Sequence, residues 1–406
     1  MSGSATPAFD VCVVGGAGHV GAPLATVLAA RGFRTLIYDI NESGVRSLLD
    51  GRFPFLERGG EALLREALAS GRLAGSTRIE DVARAETVVL TIGTPIDEFQ
   101  NPDWEAVSRC VTDLLPYLTN TQLLVLRSTV APGTTDRLQQ FLTDRGVTLP
   151  VAFCPERVVQ GQAIEEIQQM PQIVSGTSDV AERRAAAIFG RIATGLVRMK
   201  PIEAEYGKLF CNAYRYIQFA ASNQFFMMAH LAGCDYGRIV AGIKQDYPRM
   251  SGFPGAGFTA GPCLLKDTLQ LAAGSNYQFG LGYAAMHANE GLPAFVVSDI
   301  ARRYPLSTMT VGILGMAFKS GSDDVRSSLS YKLRKLLRVQ ARDVLTTDPF
   351  VTTDPELLPL ADVLDRSDLL VIATPHHEYT AVHAGGKPVV DIWNLLPAAA
   401  HAFETQ

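Results

Sequence analysis

Residues 9–21 read FDVCVVGGAGHVG, and this stretch determines the fold. Its first six residues are mostly apolar and β-branched, which predicts a buried parallel strand. The glycine motif GAGHVG, residues 16–21, follows at once and leads into a helical pattern that ends at Gly32. A second predicted strand, residues 34–38, ends at Asp39. This order of strand, glycine turn, helix and strand with a terminal acid is typical of a dinucleotide-binding Rossmann unit.

The glycines permit a tight turn and let a pyrophosphate approach the helix N-terminus. We expect Asp39 to accept hydrogen bonds from the adenosine ribose and to repel a 2′-phosphate, so that NAD is bound rather than NADP. The alternative is a glycine-rich turn that binds no ligand. The residues of this turn predicted to contact the cofactor are Gly16, Gly18, His19, Val20, Gly21 and Asp39.

Three later predicted strands, 87–92, 123–127 and 151–154, also run into small polar residues. Ligands bind at the carboxyl edge of open α/β sheets, so the three turns together predict a rim for cofactor and substrate. The alternative for each turn, taken alone, is an ordinary connection that binds no ligand. The residues of these turns are Gly93-Thr94-Pro95, Ser128–Thr134 and Pro155-Glu156-Arg157, with Thr94, Pro95, Ser128 and Thr129 as cofactor contacts.

A second glycine-rich stretch, GFPGAGFTAGPCLLKD (252–267), has the composition of a covalent site. We expect Pro262 at the first helical position and Cys263 in the first turn, where unpaired backbone N–H groups favour a thiolate. Lys266 adds a positive charge, and Asp267 lies one turn beyond the thiol. The alternative is a buried structural cysteine.

A long helical pattern runs from Glu203 to about Leu231. Lys208, Asn212 and Arg215 recur on one of its faces. The helix is otherwise apolar nearly all round, which predicts that it is buried, and a buried lysine requires a partner or a function. A solvated polar face is the alternative.

A second α/β block begins with the predicted strand 309–314. This strand leads into GMAFKSGSDDVRSS (315–328), whose Lys319 and Arg326 suit phosphate binding. The alternative is a surface ion-pair cluster of these cations with Asp323 and Asp324. Further strands are predicted at 343–347, 369–373 and 389–393.

Composition limits the class of protein. A chain of 406 residues suggests two or three domains at about 100–200 residues each. The net charge of −5 provides no basic surface for nucleic acid, and neither a signal peptide nor a membrane-spanning run is expected. Six cysteines without a CxxC pair argue against a disulfide framework and against a metal site, and they favour a reducing cytoplasm.

Together, these motifs resemble the UDP-glucose/GDP-mannose dehydrogenase family. The resemblance implies an α/β fold with two Rossmann-like, doubly wound parallel-sheet domains joined by a central helical domain. The implied domains are an NAD-binding domain at residues 1–200, a central helical dimerisation domain at 201–300 and a nucleotide-sugar-binding domain at 301–406. The motifs that carry it, in order along nearly the whole chain, are GAGHVG (16–21), GTP (93–95), STVAPGT (128–134), PER (155–157), the Lys208/Asn212/Arg215 helix, GAGFTAGPCLLKD (255–267) and GMAFKSGSDDVRSS (315–328).

The resemblance implies oxidation of the C6 alcohol of a nucleotide sugar to a carboxylate, with two NAD and a covalent thioester. Cys263 resembles the nucleophile, which adds to an aldehyde and leaves readily as a thiolate. Glu156 resembles the base for thioester hydrolysis, and Thr129 a further polar member of the site. Lys208, Asn212 and Asp267 resemble the groups that polarise the C6 oxygen or a water.

The same resemblance implies the remaining contacts and partners. Lys266 and Arg326 would contact the cofactor. The protein would be a cytoplasmic homodimer that binds neither nucleic acid nor membrane. The substrate contacts implied are Glu156, Arg157, Lys208, Asn212, Arg215, Arg249, Phe253, Gly255, Gly257, Phe258, Phe318 and Lys319.

Two positions point to different sugars. The segment PERVVQG (155–161) has Gln160 where the UDP-glucose enzymes usually have Glu, and it looks like the branch that oxidises UDP-N-acetylhexosamines. Pro262 looks like the UDP-glucose branch, because the other branch usually has His there. We expect UDP-glucose, with a UDP-N-acetylhexosamine as the alternative. A single-step dehydrogenase and a catalytically silent nucleotide-binding protein are rivals, but neither needs Cys263 with Glu156.

Asp39 predicts the choice of cofactor. A carboxylate that faces a 2′-phosphate is unfavourable, so kcat/KM should favour NAD over NADP by at least about tenfold, about 1.4 kcal/mol. Initial rates with each cofactor measure this ratio. Equal efficiency with the two cofactors would show that Asp39 does not lie at the ribose.

Overall fold

The structure, a computed structural model, describes residues 7–97, 103–276 and 278–396. The chain divides into two compact units, Met1–Cys211 and Asn212–Gln406. Each unit contains its own sheet. Within the described ranges, none of the helices combines the length and apolar character needed to cross a membrane.

The sheet of the first unit has the strand order β3-β2-β1-β4-β5-β6-β7-β8. Its first six strands follow the doubly wound order of a dinucleotide-binding fold, which confirms the predicted class. Neighbouring strands pair in parallel except β6 and β7, and this antiparallel pair was not predicted. The strands are β1 (Phe9–Val14), β2 (Thr35–Tyr38), β3 (Leu73–Ser76), β4 (Ala85–Leu90), β5 (Leu123–Leu126), β6 (Val151–Phe153), β7 (Gln172–Gly176) and β8 (Leu196–Arg198).

Helices cover both faces of this sheet. In β1, Val11 and Val13 belong to one hydrophobic core, whereas Cys12 and Val14 belong to a second. Burial on two faces explains why the strand reads as a continuous apolar run. The helices are α1 (Gly21–Ala30), α2 (Glu42–Leu49), α3 (Gly60–Ala69), α4 (Trp104–Leu114), α5 (Thr134–Thr143), α6 (Ala163–Gln169) and α7 (Asp179–Phe189).

The next helix, α8 (Pro201–Leu231), is fixed at its start by a buried carboxylate. Glu205 is 0% exposed, and its oxygens accept the N–H groups of Gly133 at 2.6 Å and of Thr135 at 2.7 Å. The carboxylate therefore satisfies N–H groups at the N-terminus of α5. Burial raises the pKa of Glu205, although these hydrogen bonds oppose the rise.

The prediction that α8 is buried all round is wrong for one face. Leu209 and Tyr216 are buried, but five large apolar side chains are between 51% and 63% exposed. Their spacing places them along one side of the helix, which the described part of the chain covers only in part. They are Phe210, Tyr214, Phe225, Met228 and Leu231.

The second unit has a four-stranded sheet of order β10-β9-β11-β12, parallel throughout. This sheet confirms the predicted second Rossmann-like block. Its strands are β9 (Thr310–Leu314), β10 (Asp343–Thr347), β11 (Leu369–Ile372) and β12 (Val389–Asp391), and the helices of the unit beyond α8 are α9 (Tyr236–Lys244), α10 (Leu264–Gly274), α11 (Gly280–Arg303), α12 (Leu329–Gln340) and α13 (Leu360–Arg366).

The start of α10 differs from the prediction. The helix begins at Leu264 with Cys263 as its N-cap residue, so Pro262 is not the first helical residue. Gly261 adopts a left-handed φ of 106°, which is not helical, and it lies against the ring of Phe318.

Candidate functional site

The glycine turn between β1 and α1 has the close backbone contacts expected at a dinucleotide site. A Cβ at Gly21 would lie 2.3 Å from the carbonyl oxygen of Gly15, so only glycine fits there. Asp39, just after β2, accepts the N–H of Ala17 at 2.9 Å. Its carboxylate therefore stands beside the turn, at the carboxyl edge of the sheet, and these residues fit a bound dinucleotide.

The other predicted turns meet at the same edge because β4, β5 and β6 are parallel. The hydroxyl of Thr94 donates to the carbonyl of Thr129, and that of Ser128 donates to the carbonyl of Ile92 at 2.6 Å. The structure thus brings the turns after β4 and β5 together, as predicted. Pro95 is exposed beside them.

The Glu156 carboxylate is bound on both oxygens. Oε2 forms an ion pair with Arg127, and Oε1 accepts the N–H groups of Arg157 at 2.6 Å and Val158 at 2.8 Å. Arg127 is 1% exposed and also donates to Gln172 at 2.9 Å. Arg127 was not among the predicted site residues, although a charged residue after four apolar strand residues was a usable signal.

Several predicted substrate contacts have other partners or other surroundings. The Arg157 guanidinium donates to the carbonyl of Pro171. Phe258 lies in the hydrophobic core of the second unit, 2% exposed. Arg215 is exposed although Lys208 and Asn212 on the same helix are buried, and Arg249 is exposed beside the ring of Tyr247.

Cys263 is exposed and takes part in no disulfide, so the alternative of a buried structural cysteine fails. One turn later, Asp267 is 0% exposed. Its Oδ2 accepts a hydrogen bond of 2.5 Å from the Asn212 amide of α8, and the Lys266 ammonium lies 2.9 Å from Oδ1. Lys208, 8% exposed, lies one helical turn before Asn212. The structure therefore joins Asn212, Lys266 and Asp267 next to the thiol.

Arg326 forms part of the ion-pair cluster considered for its loop. Its guanidinium forms three hydrogen bonds with Asp324, the shortest at 2.7 Å. The hydrogen bond and charge of Asp324 raise the pKa of Arg326, and the charge of Cys263 adds to the rise. The guanidinium therefore interacts electrostatically with the Cys263 sulfur.

Two glycines in residues 252–263, which we call the cysteine loop, lie against aromatic rings. A Cβ at Gly261 would lie 2.6 Å from the ring of Phe318, and one at Gly257 would lie 2.3 Å from Trp393. The loop that carries Cys263 therefore packs against the loop that carries Phe318 and Lys319. Gly255 has open space around it, and Phe253 stacks on Phe225 with ring centroids 6.3 Å apart.

Two buried polar residues of the second unit, Asp348 and His376, were also missed. Each follows the carboxyl end of a strand, β10 or β11, the position that identified candidates in the first sheet. Among residues 7–97, 103–276 and 278–396, no group of three His, Cys, Asp or Glu is arranged to hold a metal.

Three family models match the chain. They describe the UDP-glucose/GDP-mannose dehydrogenase family: its NAD-binding domain matches residues 9–192, its central domain residues 202–290 and its UDP-binding domain residues 312–398.

Known proteins agree with these matches. The UDP-N-acetyl-D-mannosamine dehydrogenase of Pyrococcus horikoshii is 29% identical, over 91% of this chain and 90% of its own length. A UDP-glucose 6-dehydrogenase of Haloferax volcanii is 30% identical, over 90% and 91%. The solved structure of UDP-D-ManNAc dehydrogenase from Pyrococcus horikoshii superimposes with a TM-score of 0.89 at 27% identity, over 96% of both chains. Together with the glycine turn and the contacts of Asp267 with Asn212 and Lys266 near Cys263, these matches establish that the chain belongs to the UDP-glucose/GDP-mannose dehydrogenase family and that its cofactor is NAD.

Proposed function

We propose that this protein oxidises the C6 alcohol of a UDP-N-acetylhexosamine to the carboxylate in two NAD-dependent steps. The observation that carries the proposal is the exposed thiol of Cys263 at the start of α10, next to the Asn212–Asp267 hydrogen bond and Lys266. A dehydrogenase that stops at the aldehyde needs no such nucleophile.

The first step removes a proton and a hydride from the alcohol, and NAD accepts the hydride. Lys208 and Asn212 are proposed to stabilise the negative charge that develops on the C6 oxygen. The Asn212 amide has two N–H groups and uses one for Asp267, which leaves the other for a ligand.

In the second step the Cys263 thiolate adds to the aldehyde carbon and forms a thiohemiacetal. Loss of a second hydride to NAD and of the hydroxyl proton leaves a thioester. Water then attacks the thioester carbonyl, and the acid and the thiolate are released. An adjacent cation favours the thiolate, and Arg326 is in electrostatic reach of this sulfur.

Glu156 is proposed as the base that activates the hydrolytic water. The resemblance to the family supports this assignment. The pair with Arg127 and the backbone N–H groups of Arg157 and Val158 fix the orientation of the carboxylate. Thr129 is proposed as a further hydrogen-bonding group.

The choice of sugar follows the relatives and one sequence segment. The name of the Pyrococcus horikoshii relative specifies UDP-N-acetyl-D-mannosamine, and PERVVQG with Gln160 looks like that branch. These findings favour the N-acetylhexosamine over the UDP-glucose that we expected first. UDP-glucose remains the second candidate because of Pro262 and the Haloferax volcanii relative.

A panel of UDP-glucose, UDP-N-acetylglucosamine, UDP-N-acetylgalactosamine and UDP-N-acetylmannosamine, assayed for NADH, tests both the sugar and the reaction. We expect the highest kcat/KM with an N-acetylhexosamine, and two NADH per sugar because the thiol retains the aldehyde. One NADH per sugar would exclude the double oxidation. A preference for UDP-glucose with two NADH per sugar would contradict the proposed substrate and support the proposed double oxidation.

Replacing Glu156 and Cys263 separates their proposed functions. In Glu156→Gln, hydrolysis should be slow while thioester formation persists, so mass spectrometry after a quench should find a sugar-nucleotide adduct on the Cys263 peptide. Cys263→Ser should give no thioester and lose steady turnover, because an alkoxide forms less readily and leaves poorly.

Matched controls keep this experiment decisive. Cys234→Ser removes another exposed cysteine and should retain full activity. Glu156→Gln also takes the charged partner from buried Arg127, so thermal unfolding is measured alongside, and Glu156→Asp tests whether a retained charge restores stability. Near wild-type turnover of Cys263→Ser, or of Glu156→Gln without an adduct, would contradict the respective assignment.

We also propose that a second copy of this chain covers the exposed apolar face of α8. A row of large apolar side chains along a helix is typical of a protein interface, and two copies present the same row to each other.

We further propose a cytoplasmic location. The described cysteines form no disulfide, which suits the reducing cytoplasm, and cell fractionation would test this location.

Sedimentation equilibrium should therefore give twice the chain mass of 43.8 kDa. A double substitution on the face, Phe225→Glu with Met228→Glu, should shift the protein to monomer, because burying unpaired charges of one sign opposes association. Ile40→Lys is the control, since Ile40 is 88% exposed in the first unit. A monomeric wild-type protein, or a dimer that survives the double substitution, would exclude this interface.

A further inference from the structure

A buried imidazole in the second unit contacts the loop that carries Lys319. His376 is 0% exposed and lies just beyond the end of β11. Its Nδ1 accepts the backbone N–H of Gly321 at 3.2 Å, and its Nε2 lies 3.1 Å from Oδ2 of Asp348. Gly321 belongs to residues 315–328, which we call the phosphate loop.

These two contacts define the state of the imidazole. A backbone N–H can only donate, so the Nδ1 that faces Gly321 has no hydrogen. The ring hydrogen is therefore on Nε2 and is donated to Asp348. In this arrangement the His376 ring is neutral, with one nitrogen bound to the loop and the other to a carboxylate.

Asp348 anchors the start of the same loop. Its Oδ2 accepts the N–H groups of Met316 at 2.7 Å and Ala317 at 2.9 Å, and its Oδ1 accepts that of Phe350 at 2.9 Å. The pair therefore holds the phosphate loop at two points, its start and its tip.

The tip has a conformation that needs such an anchor. Gly321 adopts a left-handed φ of 63°, although a Cβ there would meet no atom within 4 Å. The glycine is thus required by the backbone conformation rather than by lack of space. Lys319 lies two residues before this point, so the direction of its backbone depends on how the tip is held.

We propose that His376 is a positioning residue for nucleotide binding, which accepts the Gly321 N–H and so fixes the loop that presents Lys319 to the diphosphate of the substrate. This rests on the proposed function in one respect, namely that the substrate is a UDP-sugar whose diphosphate Lys319 contacts. The imidazole acts through the loop and not by contact with the reacting carbon. It should therefore affect nucleotide affinity and leave the chemical step unchanged.

Two substitutions separate the two contacts of the ring. The Oδ1 of asparagine occupies nearly the position of Nδ1, so His376→Asn keeps an acceptor for Gly321. The Nε2 of glutamine occupies nearly the position of the histidine Nε2, so His376→Gln keeps the donor to Asp348 and loses the acceptor for the loop. The two variants therefore test one hydrogen bond against the other at the same site.

We expect His376→Gln to raise KM for the nucleotide sugar, and Kd for UDP measured by calorimetry, by about fivefold. His376→Asn should stay within about twofold of wild type, and both should keep kcat and KM for NAD. Asparagine leaves the larger cavity, so a general effect on stability, followed by thermal unfolding, would rank the variants in the opposite order.

His377→Gln is the matched control, because His377 is the exposed neighbour and should give wild-type constants. Equal losses in the Asn and Gln variants, or an unchanged UDP affinity in His376→Gln, would overturn the inference. If the wild-type protein binds no UDP, the proposed function and the inference are overturned together. UDP binding without an effect of His376→Gln overturns the inference alone.

Discussion

The candidate site depends on the buried carboxylate of Asp267. A fully buried carboxylate must be compensated, because an unsatisfied charged acceptor costs more than the about 1–3 kcal/mol of a neutral one. Asn212 and Lys266 supply that compensation, and the hydrogen bond from Asn212 connects α8 to α10. Since Cys263 is one turn away on the same helix, the contact that satisfies the carboxylate also fixes the nucleophile relative to α8.

Local signals predicted the fold well. The turn at 16–21, the strands on either side of it and the long helix depend on periodicity and turn chemistry, which residues near in sequence determine. The start of α10 was mispredicted because Gly261 has a left-handed φ and lies against Phe318, a contact that residues near in sequence do not reveal. The exposed face of α8 was mispredicted because an apolar pattern does not show whether its cover belongs to the same chain.

The supporting residues of the site escaped prediction for a different reason. Arg127 contacts Glu156 from 29 residues away, and His376 contacts Asp348 from 28 residues away. Neither residue belongs to a motif: Arg127 ends an apolar strand, and His376 lies in the polar turn after β11. Only the parallel pairing of strands brings their carboxyl ends to one edge, so the pairs become visible once the strand order is known.

The contact between Gly261 and Phe318 makes these two positions a steric pair. A side chain at 261 would meet the ring of Phe318 and would also be strained by the left-handed φ at this position, whereas a smaller residue at 318 would leave a void beside Gly261. The shape of the phosphate loop is therefore matched to the loop that carries Cys263. A chimera that takes one loop from a relative with another sugar preference would have to take the other loop from the same parent.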